Sequence, residues 1–181
     1  MSTAPYRLAL PQSHCNSHLS ETPRKDNKNP MQTIGICRFS YPAIGGFQVT
    51  HADTAEREAY LYSPERMSER FALFETLTLP CLRAQTESNF TFVVVVGTSL
   101  PAAYRKRLDE VLTSLPQAVV IALPPMQHRK AMRKVINDAR RFDDQPCLQF
   151  RLDDDDAVGV NSVSYTHLTL PTNTVTWWAR G

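Results

Sequence analysis

A chain of 181 residues with 42% hydrophobic content fits one ordinary domain plus its ends, and a net charge of +2 advertises neither nucleic-acid nor membrane-surface binding. No apolar run reaches membrane-spanning length and the N-terminus lacks a signal-peptide core, so no transmembrane segment is expected and the expected location is cytoplasmic. The four cysteines, Cys15, Cys37, Cys81 and Cys147, form no C-x-x-C pair, which removes zinc and disulfide-framework readings and leaves reduced thiols, with a Cys37–Cys147 pair as the open alternative.

Residues 1–30 are rich in Ser, Thr, Pro, Asn and Lys and show no periodicity, so they read as a disordered extension or a misassigned start, with Met31 as the alternative first codon. Thr33 to Phe39 reads as a first strand, and Gly45-Gly46 breaks the chain into a loop running to about Tyr62. Ser63-Pro64-Glu65 is a helix start: a capping Ser, Pro at the first helical position and an early carboxylate. Phe71, Phe74 and Leu77, with Leu73, continue that helix at helical spacing until Pro80 kinks or restarts it. Phe90 to Val96 is a continuous β-branched run, expected at the sheet centre with both faces buried. Pro101 opens a helix ending near Pro116, Ala118 to Leu123 reads as another buried strand, and a helix follows from about Gln127 to Arg141 with Met132, Val135, Ile136 and Ala139 on its apolar face. A last strand ends at Leu152. Alternating strands and helices predict an α/β fold with a mainly parallel sheet.

That last strand runs into Asp153-Asp154-Asp155-Asp156. Ligands of α/β sheets bind beyond the carboxyl ends of the strands. Adjacent anions repel, and a hard divalent cation such as Mg²⁺ or Mn²⁺, shared with substrate phosphates, would relieve them. The bland alternative is a solvated acidic turn.

Leu79-Pro80-Cys81-Leu82-Arg83-Ala84-Gln85-Thr86, Asn89-Phe90-Thr91-Phe92 with the valine strand, Cys37-Arg38-Phe39-Ser40-Tyr41-Pro42 and Arg151-Leu152 with the acid run together resemble the rhamnosyltransferase family of bacteria. The resemblance covers residues 31–161. It implies a Rossmann-like GT-A glycosyltransferase fold, a nucleotide-sugar donor such as dTDP-rhamnose, and a glycan or other hydroxyl acceptor. It also implies a D-x-D metal motif in which Asp153 and Asp155 are the two acids, Asp156 the trailing acid, and Asp154 the variable and less critical one. Asp153 would also meet the donor. Many relatives carry an acidic pair after the strand equivalent to Phe90–Val96. This chain has Gly97-Thr98-Ser99, so Thr98 and Ser99 become the donor-facing candidates and the base-reading carboxylate is missing. The same resemblance puts a diphosphate-contacting role on Arg133 or Lys134, although a solvated face opposite Met132 and Val135 explains them as well. Aromatics are not interleaved with these basic residues and Asp138, Asp143 and Asp144 dilute them, against nucleic-acid binding. His51 and His128 read as ordinary loop or surface histidines, and Arg38 as either a donor contact or an ion pair at the sheet edge.

Residues 163–173, Val-Ser-Tyr-Thr-His-Leu-Thr-Leu-Pro-Thr-Asn, resemble one frame of a translated sequencing adapter. The expectation is therefore a donor-binding part over residues 31–161, truncated after the D-x-D motif, and an artefactual tail over 162–181 that includes Trp177 and Trp178. The catalytic base and acceptor half are expected beyond that point, leaving the chain inactive as written. Two other classes fit the same acids: a metal-dependent nucleotidyl or phosphoryl transferase, for which no G-x-x-x-x-G-K-[ST] loop is present, and a non-catalytic α/β interaction module.

Overall fold

A computed structural model describes residues 32–45, 53–141 and 147–169, with side chains described as far as Tyr165. Residues 1–30, His51, Asp143, Asp144, Trp177 and Trp178 lie outside the described residues.

The predicted strands form one parallel sheet. Strands β1 (Gln32–Arg38), β2 (Thr91–Gly97), β3 (Ala118–Leu123) and β4 (Cys147–Arg151) stand in the order β3-β2-β1-β4, all parallel. The valine run is central and buried, as its composition requires: Phe92, Val93, Val94, Val95 and Val96 are all inaccessible or nearly so. Strand β3 differs from expectation. It is an edge strand in which only Leu123 is buried, and Val119 is 48% exposed because no described strand lies beyond it.

Two apolar clusters cover the two faces. One face carries α2 (Pro64–Leu73), α3 (Leu79–Arg83) and α4 (Ala102–Leu112), which place Met67, Phe71, Leu82, Leu108 and Leu112 on Cys37, Phe92, Val94 and Val96. The other carries α5 (His128–Ala139), with Ala131, Met132 and Val135 on Ile34, Ile36, Val93 and Val95. The fold is thus a Rossmann-like α/β layer structure. The chain steps from β1 outward to β2 and β3 with helices on one face. It then returns past β1 to β4 through α5 on the other. Crossovers of one hand require this change of face when the direction of travel reverses. The reversal falls between β1 and β4, where an open parallel sheet leaves its ligand crevice at the carboxyl ends.

Local chemistry accounts for the departures from the expected elements. The loop expected before Tyr62 contains a helix, α1 (Thr54–Leu61), whose first turn is capped by Asp53 accepting the Glu56 N–H at 2.8 Å. Ser63 precedes Pro64 as expected but makes no capping hydrogen bond through its side chain. The disturbance expected from Pro80 takes the form of a π-helical turn over Phe74–Thr78, where the Leu79 N–H reaches back to the Phe74 carbonyl before α3 resumes. Residues Ser162–Thr169, which include the start of the adapter-like stretch, form α6, and Val163 is buried in the first cluster. Cys37, Cys81 and Cys147 are free thiols. Among the described residues no helix is long and apolar enough to cross a membrane.

Candidate functional site

Strand register sets the geometry of the crevice. Ile36 pairs with Arg151, and the Leu152 N–H continues the ladder by donating to the Ile36 carbonyl at 3.0 Å. Side chains alternate along a strand, so Ile36, Arg38 and Arg151 share the α5 face while Cys37 and Leu152 point to the opposite one. Arg38, the last residue of β1, donates to Asp153 Oδ1 at 3.2 Å. The two residues therefore meet where the sheet changes direction.

The remaining acids turn toward α2. Phe71 of α2 packs on Phe39 with ring centroids 4.9 Å apart, and Phe74 on the same ring at 5.2 Å. That aromatic lock delivers Arg70, one residue before Phe71, to the acid run. A single Arg70 guanidinium nitrogen donates to Asp154 Oδ1 at 2.9 Å and to Asp155 Oδ2 at 2.8 Å. Asp156 folds back on the turn: its carboxylate accepts the Asp153 N–H at 3.1 Å, and its own N–H donates to the Asp153 carbonyl at 3.2 Å. Thr78, in the π-helical turn, donates its hydroxyl to the Asp156 carbonyl at 2.8 Å. The aperiodic turn fits this position, because a π-turn re-aims side chains that a regular helix would direct elsewhere.

Asp154 is the buried member of the run, with its side chain only 7% exposed. Burial pushes its carboxyl up to about 6, the neighbouring acids push the same way, and Arg70 opposes both. The expectation that the middle acid is the least critical therefore meets a different arrangement, in which Asp154 anchors the run to α2. Burial followed by the fields of Asp154 and Asp153 also drives the Cys37 thiol well above its usual range, which leaves it un-ionised and unreactive.

The donor-facing candidates after β2 form a second polar group. Ser99 donates to Glu58 Oε1 at 2.5 Å and lies 3.3 Å from the Tyr62 hydroxyl. Gly97 permits this approach, since a Cβ there would overlap the Tyr62 hydroxyl and the Pro42 ring. Thr98 is exposed and is held by its N–H donating to the Leu123 carbonyl at 3.0 Å. Arg133 and Lys134 lie on the exposed face of α5, and Lys134 pairs with Asp138 one turn on at 2.7 Å. Sequence reasoning missed Arg70, Glu58 and Tyr62. An arginine in an amphipathic helix looks the same whether it faces solvent or a carboxylate 84 positions away.

Asp153 and Asp155 are half-exposed, each uses one carboxylate oxygen on an arginine, and each retains the other. Among the described residues no three His, Cys, Asp or Glu side chains are grouped so as to hold an ion by themselves. A hard ion held by one or two carboxylates, with phosphate oxygens and water completing its shell, fits this donor set.

The model of the family described as "Putative rhamnosyl transferase" matches residues 32–178, and the chain belongs to that family. No curated protein matches the chain. Membership indicates glycosyltransferase activity, with a sugar donor and an acceptor as its substrates.

Proposed function

We propose that this chain forms the donor site of a metal-dependent, GT-A-type glycosyltransferase that takes a sugar, L-rhamnose from a dTDP-linked donor, to a hydroxyl acceptor. The observation that supports it is the position of Asp153 and Asp155: beyond β4, beside Arg38, at the reversal point of a parallel sheet. Asp153 and Asp155 would hold a Mg²⁺ or Mn²⁺ ion, with Asp156 fixing the turn that carries them. When bound, the ion offsets the negative charge that develops on the departing nucleoside diphosphate. Arg70 draws Asp155 and Asp154 to one side, keeping the run from splaying under its own repulsion. Thr98 and Ser99 offer a hydroxyl row to the nucleoside end, with Glu58 behind Ser99 restoring a carboxylate to the region where the sequence itself has none.

A second reading is supported by a specific observation. Each acid of the run already has a protein partner: Arg38 for Asp153, Arg70 for Asp154 and Asp155, and the Asp153 amide for Asp156. An arginine-neutralised turn with no ligand needs nothing more. Titration calorimetry with Mn²⁺ and dTDP, alone and together, separates the two. The donor site is expected to bind Mn²⁺ more tightly when dTDP is present, to lose that coupling in Asp153→Ala, and to prefer nucleotide sugars over plain nucleotides. Failure of Mn²⁺ and dTDP to bind, together or apart, leaves the neutralised turn as the correct reading.

A further inference from the structure

We propose that Arg38, Arg151 and His128 form the anion-binding site of the crevice and that its ligand is a diphosphate, held here in preference to Arg133 and Lys134. As the diphosphate of the donor it deepens the reading above and rests on it; as an anion site it stands by itself.

Three elements converge on one face to build it. Arg38 ends β1 and Arg151 ends β4, both on the side that α5 covers. His128 is the first residue of α5, and its N–H donates to the Ile44 carbonyl at 3.3 Å beside the bridge between Ile44 and Gln127. The end of α5 is thereby pinned to the chain leaving β1. Arg151 and the His128 imidazole lie 3.4 Å apart at Nε2. Burial, followed by the Arg38 and Arg151 guanidiniums, holds the imidazole below its usual value. The Arg38 and Arg151 guanidiniums end neighbouring strands on the same face, and that positive charge, felt at the imidazole, attracts an anion.

The protein supplies one carboxylate, and it goes to Arg38. Asp153 bonds Arg38, whose Nε is buried without a partner among the described residues. Arg151 has no carboxylate partner among the described residues. Ser40, two residues past Arg38, is 7% exposed, its hydroxyl has no hydrogen-bond partner among the described residues, and its φ of 48° is one that residues other than glycine rarely adopt. Strain and an unsatisfied hydroxyl at one strand end are more common at ligand sites than in framework. Two guanidiniums and an imidazole in this arrangement suit a diphosphate, because guanidinium N–H pairs match phosphate oxygens two at a time. Lys134, by contrast, is already answered by Asp138.

Inorganic pyrophosphate, with metal chelated away, is the probe, and titration calorimetry on the whole chain is the readout. Arg151→Gln and His128→Asn are each expected to weaken pyrophosphate binding about tenfold or more, and Arg133→Gln and Lys134→Gln to leave it within about twofold. Both of the first pair lie at the surface or half-buried, and thermal unfolding by circular dichroism verifies that they fold. Should one fail to fold, the other decides. Loss of binding in the Arg133 or Lys134 variant with Arg151→Gln unaffected overturns the proposal, as does a wild-type chain that does not bind pyrophosphate. Pyrophosphate binding that depends on Arg151, in a chain that binds no nucleotide sugar, upholds the anion site and overturns the glycosyltransferase reading separately.

Discussion

Arg70 and Asp154 are 84 positions apart in sequence and meet at 2.9 Å, and the carboxylate of the pair is almost wholly buried. Taking both groups out of water is costly, so the pair is worth little against an apolar replacement. Breaking it on one side is different, because a buried charge is left without its counter-ion. Arg70→Met is expected to destabilise the chain by about 3 kcal/mol or more, read from the urea unfolding midpoint. The double variant Arg70→Met with Asp154→Leu is expected to recover most of that loss. A double variant as unstable as the single one would mean that Arg70 acts mainly through Asp155.

The same pair sets a pH dependence. The Asp154 carboxyl ionises near 6 in the folded chain, against 3.8 as its ordinary value. Between those values the folded chain holds a proton that the unfolded chain has released. This group's contribution to stability is therefore fully present below pH 3.8 and lost as pH rises through 6. Unfolding free energies of wild type and Asp154→Asn, compared at pH 4 and pH 7, are expected to diverge: wild type loses relative stability toward pH 7. Parallel curves would show that Arg70 cancels the burial.

The fold was legible in the sequence because its strands announce themselves. A run such as Phe92 to Val96 can only sit between two covered faces, and alternation with amphipathic helices such as α5 leaves parallel pairing as the solution. The edge position of β3 was not legible, since Val119 and Val120 look as buried in sequence as Val93 and Val94 do. At the site the acid run was found from its own charge, and the Arg38 ion pair was one of two readings. The ranking of the acids was not legible. Which of four identical side chains is buried depends on the turn that Asp156 and Thr78 close, and on Phe71 bringing Arg70 to it.

The acids can be separated by function. Asp153→Ala and Asp155→Ala are expected to abolish Mn²⁺ binding in the presence of a nucleoside diphosphate while the chain stays folded, since both side chains are half-exposed. Asp154→Ala is expected to lower stability first, because it leaves a gap beside Arg70 in a buried position. Calorimetric Mn²⁺ titration alongside thermal unfolding distinguishes the two behaviours. Equal loss of binding from all three substitutions would indicate diffuse acidic attraction.

Gly35 and Phe150 face each other across β1 and β4, and the aromatic ring lies where a Gly35 Cβ would be. The ring is held by Phe92 on one side and Phe90 nearby, each with centroids 6.4 Å away. Gly35→Ala forces that ring aside in a packed layer and is expected to cost about 2 kcal/mol. Gly35→Ala combined with Phe150→Leu, which makes room, should be more stable than Gly35→Ala alone in thermal unfolding. Additive losses would show that the glycine is required by the backbone and not by the ring.

Val163 tests whether α6 belongs to the packed body. Its side chain is 2% exposed and joins the cluster that includes Leu82 and Leu152, while its N–H donates to Gln85 Oε1 at 3.0 Å. Thr86 completes the clamp, its N–H reaching the Val160 carbonyl at 2.9 Å and its hydroxyl the Ser164 hydroxyl at 3.1 Å. Gln85 and Thr86 thus tie down the segment that follows the acid run, so loosening it would also loosen Asp156. Val163→Asp buries a charge with no counter-ion and is expected to destabilise by about 3 kcal/mol, with faster proteolytic cleavage after the acid run. A stretch that is foreign to the domain and merely follows it would tolerate the change. Unaltered unfolding and proteolysis of Val163→Asp would therefore put the boundary of the folded unit before Val163, where the adapter-like sequence begins.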